Sequence, residues 1–130
     1  MDKLDLIFDR QKALDDFIAQ NHSEQAKNMT LVTTTLAMLV ETVETLEELP
    51  WKPWKQNKQV DKEKLFMELA DVLHFFISLC IKLGISPNLL FNLYCRKNFE
   101  NWKRQMGKVS GREDYVGKFY NDDYYKIGGS

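Results

Sequence analysis

Two pairs of acids stand out by their spacing. Glu41 and Glu44 lie three residues apart, and so do Glu68 and Asp71. Each pair falls in a stretch that reads as helix, where residues three apart share a face. Carboxylates drawn together repel one another unless a cation sits between them. Oxygen-only clusters of this kind suit Mg²⁺ or Mn²⁺. The expectation is a metal site between two helices, with Glu41, Glu44, Glu68 and Asp71 as ligands. A carboxylate in such a cluster can also take a proton from water. Glu41 is the first candidate for that role, and Glu48 is the second because it shares the same arc.

The elements that must position these acids follow from periodicity. Residues 28–48 read as a helix on which Val32, Leu36, Leu39, Val43 and Leu46 gather on one side. At 100° per residue, Glu41, Glu44 and Glu48 fall within an arc of roughly 60° on another side. Residues 61–83 read as a second helix, with Asp61 as N-cap. Glu68 projects near the edge of its apolar face, flanked one turn on by Val72 and Phe75, and Asp71 lies toward the polar side. His74 follows Asp71 at i+3 and reads as a hydrogen-bonded structural residue ahead of a ligand.

Around this pair, residues 2–20 form an amphipathic helix through Leu4, Ile7, Phe8, Leu14 and Ile18. Gln11 falls inside that apolar stripe. It is either a core amide with a neighbouring partner or a group that reads a nucleobase edge, since an amide both donates and accepts. Residues 21–27 read as a polar connection. Residues 49–60 form a loop, because Pro50 and Pro53 exclude a regular helix. There Trp51 and Trp54 interleave with Lys52 and Lys55. They either anchor the loop or offer a stacking face with a cation for phosphate. Gly84, Ser86 and Pro87 stop one helix and start the next, over residues 87–106. On that helix Lys97, Asn101 and Arg104 share a face. Beside a metal site, such a face suits a triphosphate. The tail has no clear period. Arg112 and Lys118 within it are candidates to reach phosphate.

The totals set limits. The chain has 130 residues, the size of one ordinary domain, with a formal net charge of −1. That balance argues against a nucleic-acid partner. Cys80 and Cys95 lack C-x-x-C spacing and read as free thiols of a reducing compartment. The first residues do not form a signal peptide, and the apolar run at 72–83 is too short to span a bilayer. A cytoplasmic protein without a membrane partner is expected. The fold expected is all-α, a four-to-five-helix antiparallel bundle over residues 1–108, with 109–130 as a tail and candidate lid.

The ordered set of pieces resembles a known family. Glu41-x-x-Glu44, about two dozen further residues, then Glu68-x-x-Asp71 is similar to the all-α NTP pyrophosphatase (MazG-like) superfamily. Within it, the chain looks like the dimeric all-α dUTPases. The closest stretch is Asp61 to Leu65 followed by Glu68 to Phe76. Lys52-Pro53-Trp54, the Tyr94 to Gln105 segment and Gln11 with Leu14-Asp15 support the likeness, while Val43 stands where the family carries a glycine. The resemblance spans residues 4–106. It implies Mg²⁺ held by Glu41, Glu44, Glu68 and Asp71. It also implies Lys97, Asn101 and Arg104 on phosphate or nucleoside, and Gln11 and Trp54 on uracil. The reaction implied is hydrolysis of dUTP to dUMP and pyrophosphate by a homodimer, with a tetramer as the alternative assembly.

Two other readings compete. A house-cleaning pyrophosphatase for dCTP or other nucleoside triphosphates would keep the acids and differ at the first helix and the Trp loop. A non-catalytic helical interaction module would leave the acids as a solvated face. A di-iron bundle is disfavoured, because that design needs E-x-x-H on each of two helices and the Glu41 helix has no His.

Overall fold

The computed structural model describes residues 1–56 and 59–107. Five helices and no strand are found among them: α1 (Lys3–Asn21), α2 (Ser23–Asn28), α3 (Leu31–Glu47), α4 (Lys62–Lys82) and α5 (Pro87–Met106). The protein is all-α, as the periodicity predicts. Two compact units divide the chain, Met1–Gly84 and Ile85–Ser130.

Local chemistry sets the helix ends. Asp2 caps α1 in a reciprocal box with Asp5, and Thr30 caps α3 in a similar box with Thr33. The Asp61 carboxylate accepts from the Lys64 backbone N–H at 3.2 Å, which opens α4 where the sequence places its start. Gly84, at φ 74°, ends that helix in the left-handed region, which costs glycine little. Ser86 and Pro87 then open α5. The short helix α2 corrects the expected connection at 21–27. It lacks both a side-chain cap and an apolar period, the two signals that would have marked it.

In the first unit, α3 packs on α4, and α1 packs on both α2 and α4. The buried apolar core of this unit is small: Phe8, Ile77 and Cys80. The apolar stripe of α3 is not part of it. Val32 is 68% exposed and Leu39 57%, with Leu36, Val43 and Leu46 also open. Phe66, Met67, Leu69 and Leu73 of α4 are exposed as well. In the second unit, Cys95 and Met106 of α5 are buried.

Candidate metal centre and nucleotide cleft

The carboxylates face one another across the α3–α4 hairpin. Glu41, Glu44 and Glu68 each offer an oxygen, and these atoms lie within 4.8 Å of one another. The negative charge of Asp71 is felt at Glu41. One turn beyond, the Lys64 ammonium meets the Glu48 carboxylate at 3.1 Å. Position numbers fall along α3 as they rise along α4, so the two helices run antiparallel. The i, i+3 spacing on each helix then lays the two acid pairs side by side.

The cluster is electrostatically unfavourable as it stands. Glu41 Oε2 and Glu68 Oε2 are buried and have no hydrogen-bond partner. Burial raises the Glu41 pKa to about 7, helped by a hydrogen bond shared with Glu44 and by the charges of Glu44, Asp71 and Glu68. Glu68 is also raised, first by burial and then by the Glu44 charge. A hard divalent cation, which takes carboxylate oxygens as ligands, answers both features. The residues therefore fit such an ion: Glu41, Glu44 and Glu68 from the cluster, with Asp71 beside them.

A cleft of about 610 Å³ opens beside the acids, within the size range of small-molecule sites. Glu41 and Asp71 line it together with Gln11, Asp15, Phe75 and Ser78. Gln11 is only 8% exposed, and its Nε2 donates to Asp15 Oδ1 at 3.0 Å. The structure thus brings Gln11 to the same cleft as the metal candidates. Sequence reasoning missed Ser78 and gave Asp15 no role. The i, i+4 spacing of Gln11 and Asp15 was an available signal for one half of that network. His74 bonds through Nδ1 to the Ala70 carbonyl at 2.9 Å, in line with its structural reading.

Other expected site residues lie elsewhere. Glu48 is buried against Lys64, outside the set of three acids. Trp54 is 71% exposed and meets Trp51 edge-on, with ring centroids 5.9 Å apart. Neither Trp54 nor Lys55 lines the cleft at Gln11, and Lys55 borders a separate hollow of about 160 Å³ with Trp51 and Lys52. Lys97, Asn101 and Arg104 are exposed on α5 in the second unit, with Lys97 Nζ 3.8 Å from Glu100. Arg112, Lys118 and the tail 109–130 lie outside the described residues.

An all-α hairpin whose facing carboxylates border a nucleotide-sized cleft is the framework of a nucleoside triphosphate pyrophosphohydrolase. The dUTPase family model matches residues 3–90, which run from α1 through the acid cluster to the first turn of α5. The chain belongs to the dUTPase family, and its reaction is that of a dUTP diphosphatase, with a nucleotide as substrate and a divalent metal as cofactor. No curated protein and no solved structure matches the chain. Among the described residues, no single helix is long and apolar enough to cross a membrane.

Proposed function

We propose that Glu41, Glu44, Glu68 and Asp71 hold Mg²⁺, with Mn²⁺ as the substitute, and that Gln11 receives the uracil of dUTP in the adjoining cleft. The observation that carries this reading is the pair of buried, partnerless oxygens, Glu41 Oε2 and Glu68 Oε2, inside a cluster of acids. Native structures seldom leave such atoms without a partner. When bound, the cation supplies charge neutralisation for the phosphate oxygens and acidifies a nearby water.

Glu41 belongs to the acid cluster and lines the cleft, which gives it the position to accept the proton of the attacking water. Water attacks the α-phosphorus, the bond to the bridging oxygen breaks, and dUMP and pyrophosphate are the products. Lys97, Asn101 and Arg104 offer donors suited to phosphate, and Trp54 and Lys55 supply an exposed aromatic face with a cation close by in sequence. Glu48 is better suited to holding the hairpin through Lys64 than to moving a proton.

The exposed apolar stripes of α3 and α4 support assembly as a homodimer, because apolar surface of this extent on a small core calls for a partner. Two buried free cysteines, Cys80 and Cys95, accord with a reducing, cytoplasmic setting.

Pyrophosphate release from a panel of nucleoside triphosphates, with and without Mg²⁺, tests the reading. Mg²⁺-dependent release from dUTP is expected, and Glu44→Gln should abolish it while leaving the helical spectrum intact. Near-normal turnover in that variant would remove the metal-site assignment. Equal release from dCTP would move the protein to the house-cleaning reading.

A further inference from the structure

Gln11 is not held alone. Its amide nitrogen donates to Asp15 Oδ1 at 3.0 Å, and the other oxygen of the same carboxylate accepts the Ser78 hydroxyl at 2.9 Å. Ser78 is 6% exposed and comes from α4, so the acid bridges two helices. All three residues line the cleft that Glu41 and Asp71 also line.

A carboxylate oxygen only accepts hydrogen bonds. Asp15 therefore dictates which end of the Gln11 amide faces it, and that end is the nitrogen. A glutamine without such a partner can turn about its last side-chain bond and exchange oxygen for nitrogen at little cost. Turning this one would set Oε1 against a carboxylate oxygen and forfeit a charge-assisted hydrogen bond. The amide is locked, and Oε1 is the atom left to accept from a ligand.

The two pyrimidines that differ least in shape differ in the group this atom would meet. Uracil presents an N3–H donor between two carbonyl acceptors. Cytosine presents an unprotonated N3 acceptor beside an amino donor. With the ring fixed by its sugar and the cleft walls, an amide oxygen at N3 suits uracil and a turned amide suits cytosine. A freely turning glutamine would take either.

We propose that Asp15, seated by Ser78, is a positioning residue that locks the Gln11 amide in the uracil-reading orientation and so sets the preference for dUTP over dCTP. This deepens the reading of the cleft given above and rests on the base entering at Gln11. A site whose buried polar groups cannot re-pair with the wrong ligand discriminates far more strongly than one that tells ligands apart by size.

The test is kcat/KM for dUTP and for dCTP in the wild-type protein, Asp15→Asn, Ser78→Ala and Gln11→Ala, each at saturating Mg²⁺. Asparagine can show Gln11 either an oxygen or an amino group, so Asp15→Asn releases the lock. The dUTP-to-dCTP preference should then fall by about tenfold or more, the scale of one lost charge-assisted hydrogen bond. Ser78→Ala loosens the carboxylate without removing it and should shift the ratio the same way by a smaller factor. A merely structural Asp15 would lower both substrates together. An unchanged ratio in Asp15→Asn overturns the proposal, as does an unchanged ratio in Ser78→Ala should Asp15→Asn fail to fold. An unchanged ratio in Gln11→Ala, with turnover still Mg²⁺-dependent, would instead show that the base is not read at Gln11. The underlying reading would then fail along with the lock.

Discussion

Replacing Glu41 by glutamine should stabilise the metal-free protein, although it removes the proposed metal ligand and proton acceptor. The oxygens of Glu41, Glu44 and Glu68 lie within 4.8 Å of one another. Two full charges at that distance repel by about 3 kcal/mol at an effective dielectric of 20. Solvent around the exposed Glu44 and the freedom of the side chains to swing apart reduce this, leaving about 1–2 kcal/mol attributable to Glu41. Glutamine keeps the shape and can donate to the neighbouring carboxylates. The Glu41 pKa is raised to about 7, so the folded state holds its proton more tightly than the unfolded chain does. That contribution is present at low pH and is lost as pH rises through about 7. In EDTA at pH 8, Glu41→Gln should therefore melt about 4–8 °C above wild type, taking ~4 °C per kcal/mol for a chain of this size. The difference should shrink as pH falls and nearly vanish only at about pH 4, below the ordinary carboxyl value of 4.5, where Glu41 is protonated in the folded and the unfolded chain alike. Adding Mg²⁺ at about tenfold over its Kd should stabilise wild type by ~1.4 kcal/mol and the variant by less. Thermal unfolding followed by circular dichroism reads all of these. A variant that melts below wild type at both pH values without metal would refute the repulsion argument.

Further outcomes follow from the same geometry. Turnover at limiting Mg²⁺ should rise between about pH 6 and pH 8, as the metal displaces the proton held by Glu41, and saturating Mg²⁺ should move that rise to lower pH. A profile indifferent to Mg²⁺ concentration would contradict it. Lys64→Ala removes the cation facing the buried Glu48 and should lower the melting temperature by a few degrees, whereas Lys64→Arg should keep most of it. Gly84→Ala should destabilise by about 1 kcal/mol, because φ is 74° and no atom lies near the added methyl, so the cost is one of backbone conformation. Chemical denaturation measures it, and Gly84→Asn should cost less. Light scattering on a Val32→Glu, Leu39→Glu double variant should show a smaller particle than wild type if these exposed positions join two copies.

Much of this was legible without coordinates. The acid pairs showed in i, i+3 spacing because helical geometry converts spacing into a shared face. Asp61, and Ser86 with Pro87, marked the starts of α4 and α5 because capping is local chemistry. The remainder depended on contacts that no local window contains. Ser78 and Asp15 are 63 residues apart in sequence and touch only once α1 lies on α4. The Lys64–Glu48 pair needs the register of the whole hairpin. The α3 stripe illustrates a different limit. Periodicity identifies a face, yet it does not say whether that face turns toward the chain's own core, and here it turns outward. Helix α2 is too short for any period to show.

The acids that would cut the nucleotide sit on α3 and α4, whereas Gln11 and Asp15 belong to α1. In the proposed arrangement the amide that reads the base and the acid that orients it thus lie on a different helix from the metal ligands, and Ser78 of α4 is the link between the two. Substitutions in α1 can alter which nucleotide is accepted while the catalytic hairpin stays as it is. For the same reason, a library confined to residues 3–21 would be the economical place to seek variants with new base preferences.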